Sequence, residues 1–298
     1  WTIRNHRHGA RPPHTPPPAT RRPPAKYAAR PPNTPPAAPD TPAPAPNPVS
    51  RQTRRPAPTR VCAASARCRI HAVPFVIALV GRALGLVLYV AAGERRRVGR
   101  TNLRLCFPQK TEAERNRLLR RHFQAFGRAV LERGILWWST RERVMRVVRL
   151  EGIEHWRAVG KQPVIWLAPH FVGLDMGGTR LAAEFEATSM FSRQKDPVLD
   201  AILYHGRTRF VMPRLFSRQD GVRPLVKAMR EGLPFYYLPD MDFGPRDSVF
   251  VPFFGFPAAT ITGLARIARL ARAVVVPVVT RQLPGGQGYV LRFYPAWS

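Results

Sequence analysis

Eighteen of the chain's 33 prolines fall within its first 60 residues. No other feature limits the possible folds so strongly. Proline has no amide hydrogen to donate and holds φ near one value, so runs such as Pro16-Pro17-Pro18, Pro31-Pro32 and Pro42-Ala43-Pro44-Ala45-Pro46 form neither helix nor sheet. Apolar residues are too sparse there to offset the entropy of ordering, and residues 1–70 are expected to be disordered or polyproline-like. Two readings of this segment stand. It is a basic tail that binds a partner or a membrane, or it is non-native sequence translated from GC-rich DNA upstream of a true start. The opening Trp1 and the dominance of Pro, Ala, Arg and Thr favour the second.

Of the net charge of +30, residues 1–60 carry only +10, from ten arginines and one lysine against Asp40. The rest of the 298-residue chain therefore keeps a basic surface suited to polyanions: nucleic acid, anionic head groups or acidic proteins. The three cysteines, Cys62, Cys68 and Cys106, are too few for a disulfide scaffold. Cys62, Cys68 and His71 lack a fourth ligand at finger-like spacing, and no metal site is expected.

From Val73 to Ala92 the chain reads VPFVIALVGRALGLVLYVAA, with Arg82 its single charge. As a helix that length crosses a hydrocarbon layer of about 30 Å. Arg95, Arg96, Arg97, Arg100 and Arg104 follow at once. The positive-inside tendency places that end, and the domain of residues 94–298 after it, on the cytoplasmic face. A transmembrane anchor over 73–92 is expected, with a buried or interfacial helix as the alternative because Arg82 is costly in lipid. No cleavable signal pattern is present, so export is not implied.

Beyond the anchor, Thr111 and Glu114 form a T-x-x-E capping box, and Leu119, Phe123, Phe126 and Val130 recur at helical spacing to about Trp138. From Pro163 onward, short apolar runs alternate with helical stretches. Strands are expected at 164–168, 188–191, 235–238, 274–279 and 289–293, with helices near 173–186, 198–210, 222–231 and 261–271. This alternation predicts an α/β fold with a largely parallel central sheet flanked by helices.

In such sheets sites form beyond the carboxyl ends of the strands. The first strand end carries His170 and Asp175, the second Arg193, and the third Asp240 and Asp242. His170 and Asp175 stand about 140° apart on an ideal helix, so they meet only if His170 lies in the loop and Asp175 in the first helical turn. An imidazole with an ordinary pKa of about 6.5 suits general-base work, and a carboxylate on its second nitrogen fixes the tautomer. With no cysteine or Ser–His pair in the cluster, direct attack by an acceptor hydroxyl is more economical than a covalent intermediate.

H-F-V-G-L-D at 170–175 resembles the H-x4-D/E motif of the glycerolipid acyltransferase superfamily. Four further stretches are similar to the lipid A late acyltransferases, the lauroyl and myristoyl transferases of lipopolysaccharide synthesis. They are D-P-V-L-D at 196–200 with G-R-T-R-F at 206–210; G-V-R-P-L-V-K-A-M-R-E-G running into L-P-D-M-D-F-G-P; S-V-F-V-P-F-F-G at 248–255; and T-N-L-R-L-C-F-P at 101–108. The resemblance implies a glycerolipid-acyltransferase-like sheet behind one N-terminal membrane helix, at the bacterial inner membrane. It implies transfer of a fatty acyl chain from acyl carrier protein to a hydroxyl of a lipid A precursor, without a cofactor. By the same resemblance His170 is the base, Asp175 its partner carboxylate, and Arg207 and Asp240 the functional residues of G-R-x-R and P-D-x-D. Arg193, Arg209 and Asp242 are expected to support them. The basic surface then has partners in the acidic carrier, the acceptor's phosphates and anionic lipid.

Two departures stand out. The chain stops at Ser298 before the family's W-x-H-R-R-F-like stretch, so the acyltransferase domain is expected to be truncated, and the proline-rich start has no counterpart. A lysophosphatidate-type glycerolipid acyltransferase is the nearest alternative; Pro169, where that group carries Asn, counts against it. A nucleic-acid-binding protein is the remoter one, and no helix-turn-helix, zinc or RNP signature supports it.

Overall fold

The computed structural model describes residues 60–191, 196–210, 214–217, 221–241 and 248–297. Of the stretch 1–70 expected to be disordered or polyproline-like, residues 1–59 lie outside the described residues, whereas 60–70, which contain no proline, begin a helix. Nine strands and nine helices are described in chain order. The helices are α1 (Arg60–Ala91), α2 (Gly93–Cys106), α3 (Glu112–Trp138), α4 (Arg141–Val147), α5 (Ile153–Arg157), α6 (Leu174–Ala182), α7 (Pro197–Thr208), α8 (Arg223–Arg230) and α9 (Gly263–Ala271). The strands are β1 (Val148–Glu151), β2 (Val164–Leu167), β3 (Thr188–Phe191), β4 (Arg214–Ser217), β5 (Phe235–Tyr237), β6 (Ser248–Phe253), β7 (Phe256–Ile261), β8 (Val274–Gln282) and β9 (Tyr289–Phe293).

Seven strands form one sheet in the order β1-β9-β8-β2-β5-β3-β4. Every pairing in it is parallel except that of β8 with β9. Strands buried on both faces read as continuous apolar runs, which is why β2, β5 and β8 stood out in the sequence. Alternate side chains of β2 serve opposite layers. Val164 and Trp166 join a core with Ile135 of α3, Met176 and Leu181 of α6, and Leu291 and Phe293 of β9. Ile165 faces the other way, into a core with Leu225 and Met229 of α8, Phe235 of β5 and Ile267 of α9. The result is a helix–sheet–helix sandwich. β6 and β7 stand apart as an antiparallel pair.

The capping box forms as expected. Glu114 N–H donates to Thr111 Oγ1, and Thr111 N–H donates back to Glu114 Oε2 at 2.8 Å. The long helix α3 is fixed to the sheet by a buried polar knot. Arg128 Nε lies 2.8 Å from Glu132 Oε1, both side chains being almost fully buried. Glu132 also accepts from the Tyr289 hydroxyl, and Arg128 donates to the Leu283 carbonyl. Burial and the neighbouring Glu132 push the Tyr289 hydroxyl well above the usual tyrosine range, so it stays a donor. Desolvating an ion pair is costly, and Arg128 Nη2 is left buried without a partner, so the network confers location more than stability.

Helix α1 contains the apolar stretch Pro74–Ala91, with mean hydropathy 2.0, long enough to cross a membrane by length and composition. One face of it, Ala78, Gly81, Gly85 and Tyr89, is buried. A Cβ on Gly85 would lie 2.3 Å from the Phe123 carbonyl oxygen, and one on Gly127 would lie 2.4 Å from that of Gly81. These glycines let the backbones of α1 and α3 touch, as small residues do at close helix crossings. Tyr89 meets Phe123 edge-on at 5.4 Å. The opposite face leaves Phe75, Leu79, Leu86, Val87 and Val90 exposed, along with Arg82. Arg96 donates to the Tyr89 carbonyl at 2.9 Å and so helps close the end of α1.

Gly127→Val is expected to lower stability by about 1–3 kcal/mol through overpacking of the α1–α3 seam. Gly93→Ala, with open space around its Cβ, should leave the unfolding midpoint unchanged. Thermal melts of both variants in detergent would check this; equal midpoints would mean that the seam is loose.

Candidate functional site

Parallel pairing of β2 with β5 sets Leu167 opposite Tyr237. The ladder runs one residue further, Ala168 N–H donating to the Tyr237 carbonyl at 2.9 Å. Two residues beyond Ala168 is His170; three beyond Tyr237 is Asp240. The two loops thus leave the sheet side by side and in step. His170 Nδ1 lies 2.5 Å from Asp240 Oδ1, and the His170 amide donates to Oδ2 at 2.8 Å. Asp240 therefore holds both the ring and the backbone of His170. Its side chain is 13% exposed against 38% for the histidine. Burial alone would push the Asp240 carboxyl up, but the hydrogen bonds from the His170 ring and amide outweigh it and leave the carboxyl below its ordinary value. With Asp240 ionised, Nδ1 is the donor and Nε2 carries the free lone pair.

Asp175 was expected to be the carboxylate on His170. In the structure it sits on the first turn of α6 and pairs with Arg133 of α3, at 2.8 Å between Nη2 and Oδ2. The reason is geometric: the His170 ring turns toward β5, the neighbouring strand, while the start of α6 faces α3. The Asp175 charge and burial together push the Tyr236 hydroxyl up, burial being the larger influence.

The G-R-T-R stretch divides into different tasks. A Cβ on Gly206 would lie 2.5 Å from the Trp137 ring, so α7 rests directly on the end of α3. Arg209 donates to the Leu136 carbonyl at 2.5 Å and to that of Ser139, and lies 4.5 Å over the Phe210 ring. It satisfies carbonyls that the end of α3 leaves open. Arg207 is exposed on α7. Arg193 and Asp242 lie outside the described residues. Gly177 proves to be a packing glycine, since a Cβ there would fall 1.9 Å from Thr280 Oγ1.

Two cavities flank the loop that carries His170. One, of about 360 Å³, is bounded by Pro169, Asp240, Met241, Ile261, Leu264 and Trp297 and is mostly apolar. The other, of about 330 Å³, is bounded by Phe171, Gly173, Thr280, Arg281, Arg292 and Tyr294. Val279 borders both. Each is large enough for part of a small-molecule ligand. Among the described residues, no group of three or more metal-ligating side chains occurs. The sequence offered no sign of Arg281 or of the apolar wall from β7, because both reach the site only through the fold.

The profile of the bacterial lipid A biosynthesis acyltransferase family matches residues 65–298. The chain is 33% identical to the lipid A biosynthesis lauroyltransferase of Escherichia coli (strain K12) over 223 residues, covering 74% of this chain and 72% of that protein. It is 33% identical to a lipid A biosynthesis acyltransferase of Haemophilus influenzae over 232 residues, covering 76% and 72%. With the lipid A biosynthesis myristoyltransferase of Escherichia coli it shares 33% over 206 residues, covering 68% and 62%.

Because the depressed Asp240 carboxyl gains its partners on folding, its contribution to stability is full above the unfolded value of about 4 and fades as pH falls through the lower folded value. The melting-temperature gap between wild type and Asp240→Asn should therefore be widest near neutrality and close toward pH 3. A gap independent of pH would contradict the pairing. Arg209→Ala should lower the melting temperature while leaving the pH profile of turnover unmoved.

Proposed function

Because the chain belongs to the bacterial lipid A biosynthesis acyltransferase family, we propose that it moves a fatty acyl chain from acyl carrier protein to a hydroxyl of a lipid A precursor, with His170 as general base. The family makes it an acyltransferase of lipid A biosynthesis. The choice of base rests on one observation: His170 is held through Nδ1 by Asp240 between an apolar and an arginine-lined cavity.

In this reading Nε2 of His170 takes the proton of the acceptor hydroxyl as its oxygen attacks the thioester carbonyl. The tetrahedral intermediate collapses with loss of the carrier's thiolate, which the imidazolium reprotonates. Asp240 keeps the ring in the productive tautomer and stabilises the imidazolium. The apolar cavity beside Asp240 takes the acyl chain. Arg281 and the exposed Arg207 receive phosphates of the acceptor, for which their fixed charge and donors are suited. Asp175, paired with Arg133, holds α6 against α3. No cofactor enters this scheme. The exposed apolar face of α1 and the arginines of α2 fit attachment to the cytoplasmic face of the inner membrane, where the lipid acceptor resides.

His170→Ala should reduce transfer to a tetra-acylated lipid A precursor by about 10²–10⁴-fold, the usual worth of a positioned base, with membrane association intact. Near-normal turnover would remove His170 from the mechanism. Preference for lysophosphatidate over the lipid A precursor would replace the acceptor. Ala259→Leu, which narrows the apolar cavity, should cut kcat/KM for the longest accepted donor by about tenfold and spare shorter ones. An unchanged chain-length profile would place the acyl chain elsewhere.

A further inference from the structure

Residues 248–261 contain no Asp, Glu, Lys or Arg, in a chain of which 22% is charged. They form the β6–β7 hairpin, which pairs with itself and lies outside the main sheet. A solvated strand normally alternates polar and apolar positions. Here Val249, Phe250, Val251, Phe254 and Phe256 are all exposed, at 48, 60, 39, 53 and 37%. Both faces of the hairpin are thus apolar and open.

The turn at its tip is a second, independent anomaly. Phe253 pairs with Phe256, so Phe254 and Gly255 make a two-residue loop with φ of 52° and 81°. Positive φ at both positions belongs to the turn for which Asn-Gly is the favoured sequence. A bulky phenylalanine in the left-handed region is strained. The aromatic ring stands at the tip at that conformational cost.

The hairpin is tied at both ends to parts of the molecule that concern lipid. Phe254 meets Phe107, the residue that closes α2, at 5.2 Å between ring centroids. On α2 itself Arg95, Arg97, Arg100 and Arg104 are exposed. At the other end Ala259, Thr260 and Ile261 wall the apolar cavity beside Asp240.

We propose that the tip of the β6–β7 hairpin inserts its side chains into the bilayer surface, as a second attachment beside α1, and that its base guides lipid toward His170. The depth is interfacial, since unpaired strand edges are not tolerated in the hydrocarbon core. Apolar side chains flanked by exposed arginines match a surface of acyl chains under anionic head groups. An acidic carrier protein would be drawn to the arginines and would have no use for an uncharged tip. The inference rests on the acyltransferase reading only for the identity of the lipid it guides.

The test compares the full chain with the double variant Phe250→Ser/Phe254→Asn, whose second change suits the turn and so protects folding. Sedimentation with phosphatidylglycerol–phosphatidylethanolamine vesicles, and with phosphatidylcholine vesicles, should show a loss of affinity of about tenfold or more for both compositions. Turnover of detergent-dispersed precursor should stay within about twofold, because the reaction chemistry is untouched. Equal vesicle affinity overturns the proposal. So does loss of carrier binding or of self-association at unchanged vesicle affinity, or an equal loss of turnover in detergent. Wild type that binds vesicles but turns over no precursor leaves the hairpin inference standing and removes the acyltransferase reading instead.

Discussion

The parallel pairing of β2 with β5 is the constraint on which the rest depends. Leu167 opposite Tyr237 sends two loops off the sheet in step and delivers His170 onto Asp240. The same register sends Trp166 into one core and Ile165 into the other. A slip of one residue would exchange those faces, so the two cores enforce the register that builds the site. The His170–Asp240 geometry is a by-product of packing two layers of helices on one sheet.

Much of this was legible in the chain. The buried strands were visible as apolar runs because a parallel sheet covered on both sides leaves no polar alternation to confuse them. The capping box gave the start of α3 to the residue, and His170 and Asp240 were both located at strand ends. What the sequence could not supply was their pairing. Asp175 lies five residues from His170 and Asp240 lies seventy, yet the nearer carboxylate turns to Arg133 on α3. Register between strands that lie far apart in the sequence is a long-range property with no local signature. Edge strands were missed for a related reason: β1 and β4 are four residues each and carry Arg149 and Arg214. The β6–β7 hairpin has no turn signature in the sequence, because its tight loop is Phe254-Gly255 and not the expected Asn-Gly. Arg209, a charged residue of the G-R-T-R stretch, donates to carbonyls at the end of α3, a contact that no local pattern announces.

For the apolar stretch of α1 the sequence predicts a span, with a buried or interfacial helix as the alternative, and the structure gives it one buried and one exposed face. Gly81 and Gly85 press it against α3, while Phe75, Leu79 and Val90 face outward. Since α3 is itself locked to the β8–β9 turn through Arg128, Glu132 and Tyr289, α1 and the sheet are joined through one buried polar knot.

The order of the strands carries a consequence for how such a molecule comes into being. β9, the last of the described strands, lies between β8 and β1, and among the described residues β1 bonds no other strand of the sheet. During vectorial synthesis β1 emerges first and must wait through some 138 residues, from Glu151 to Tyr289, before its neighbour exists. Nascent chains therefore carry one unpaired sheet edge across that interval, the kind of exposed edge that invites wrong pairing.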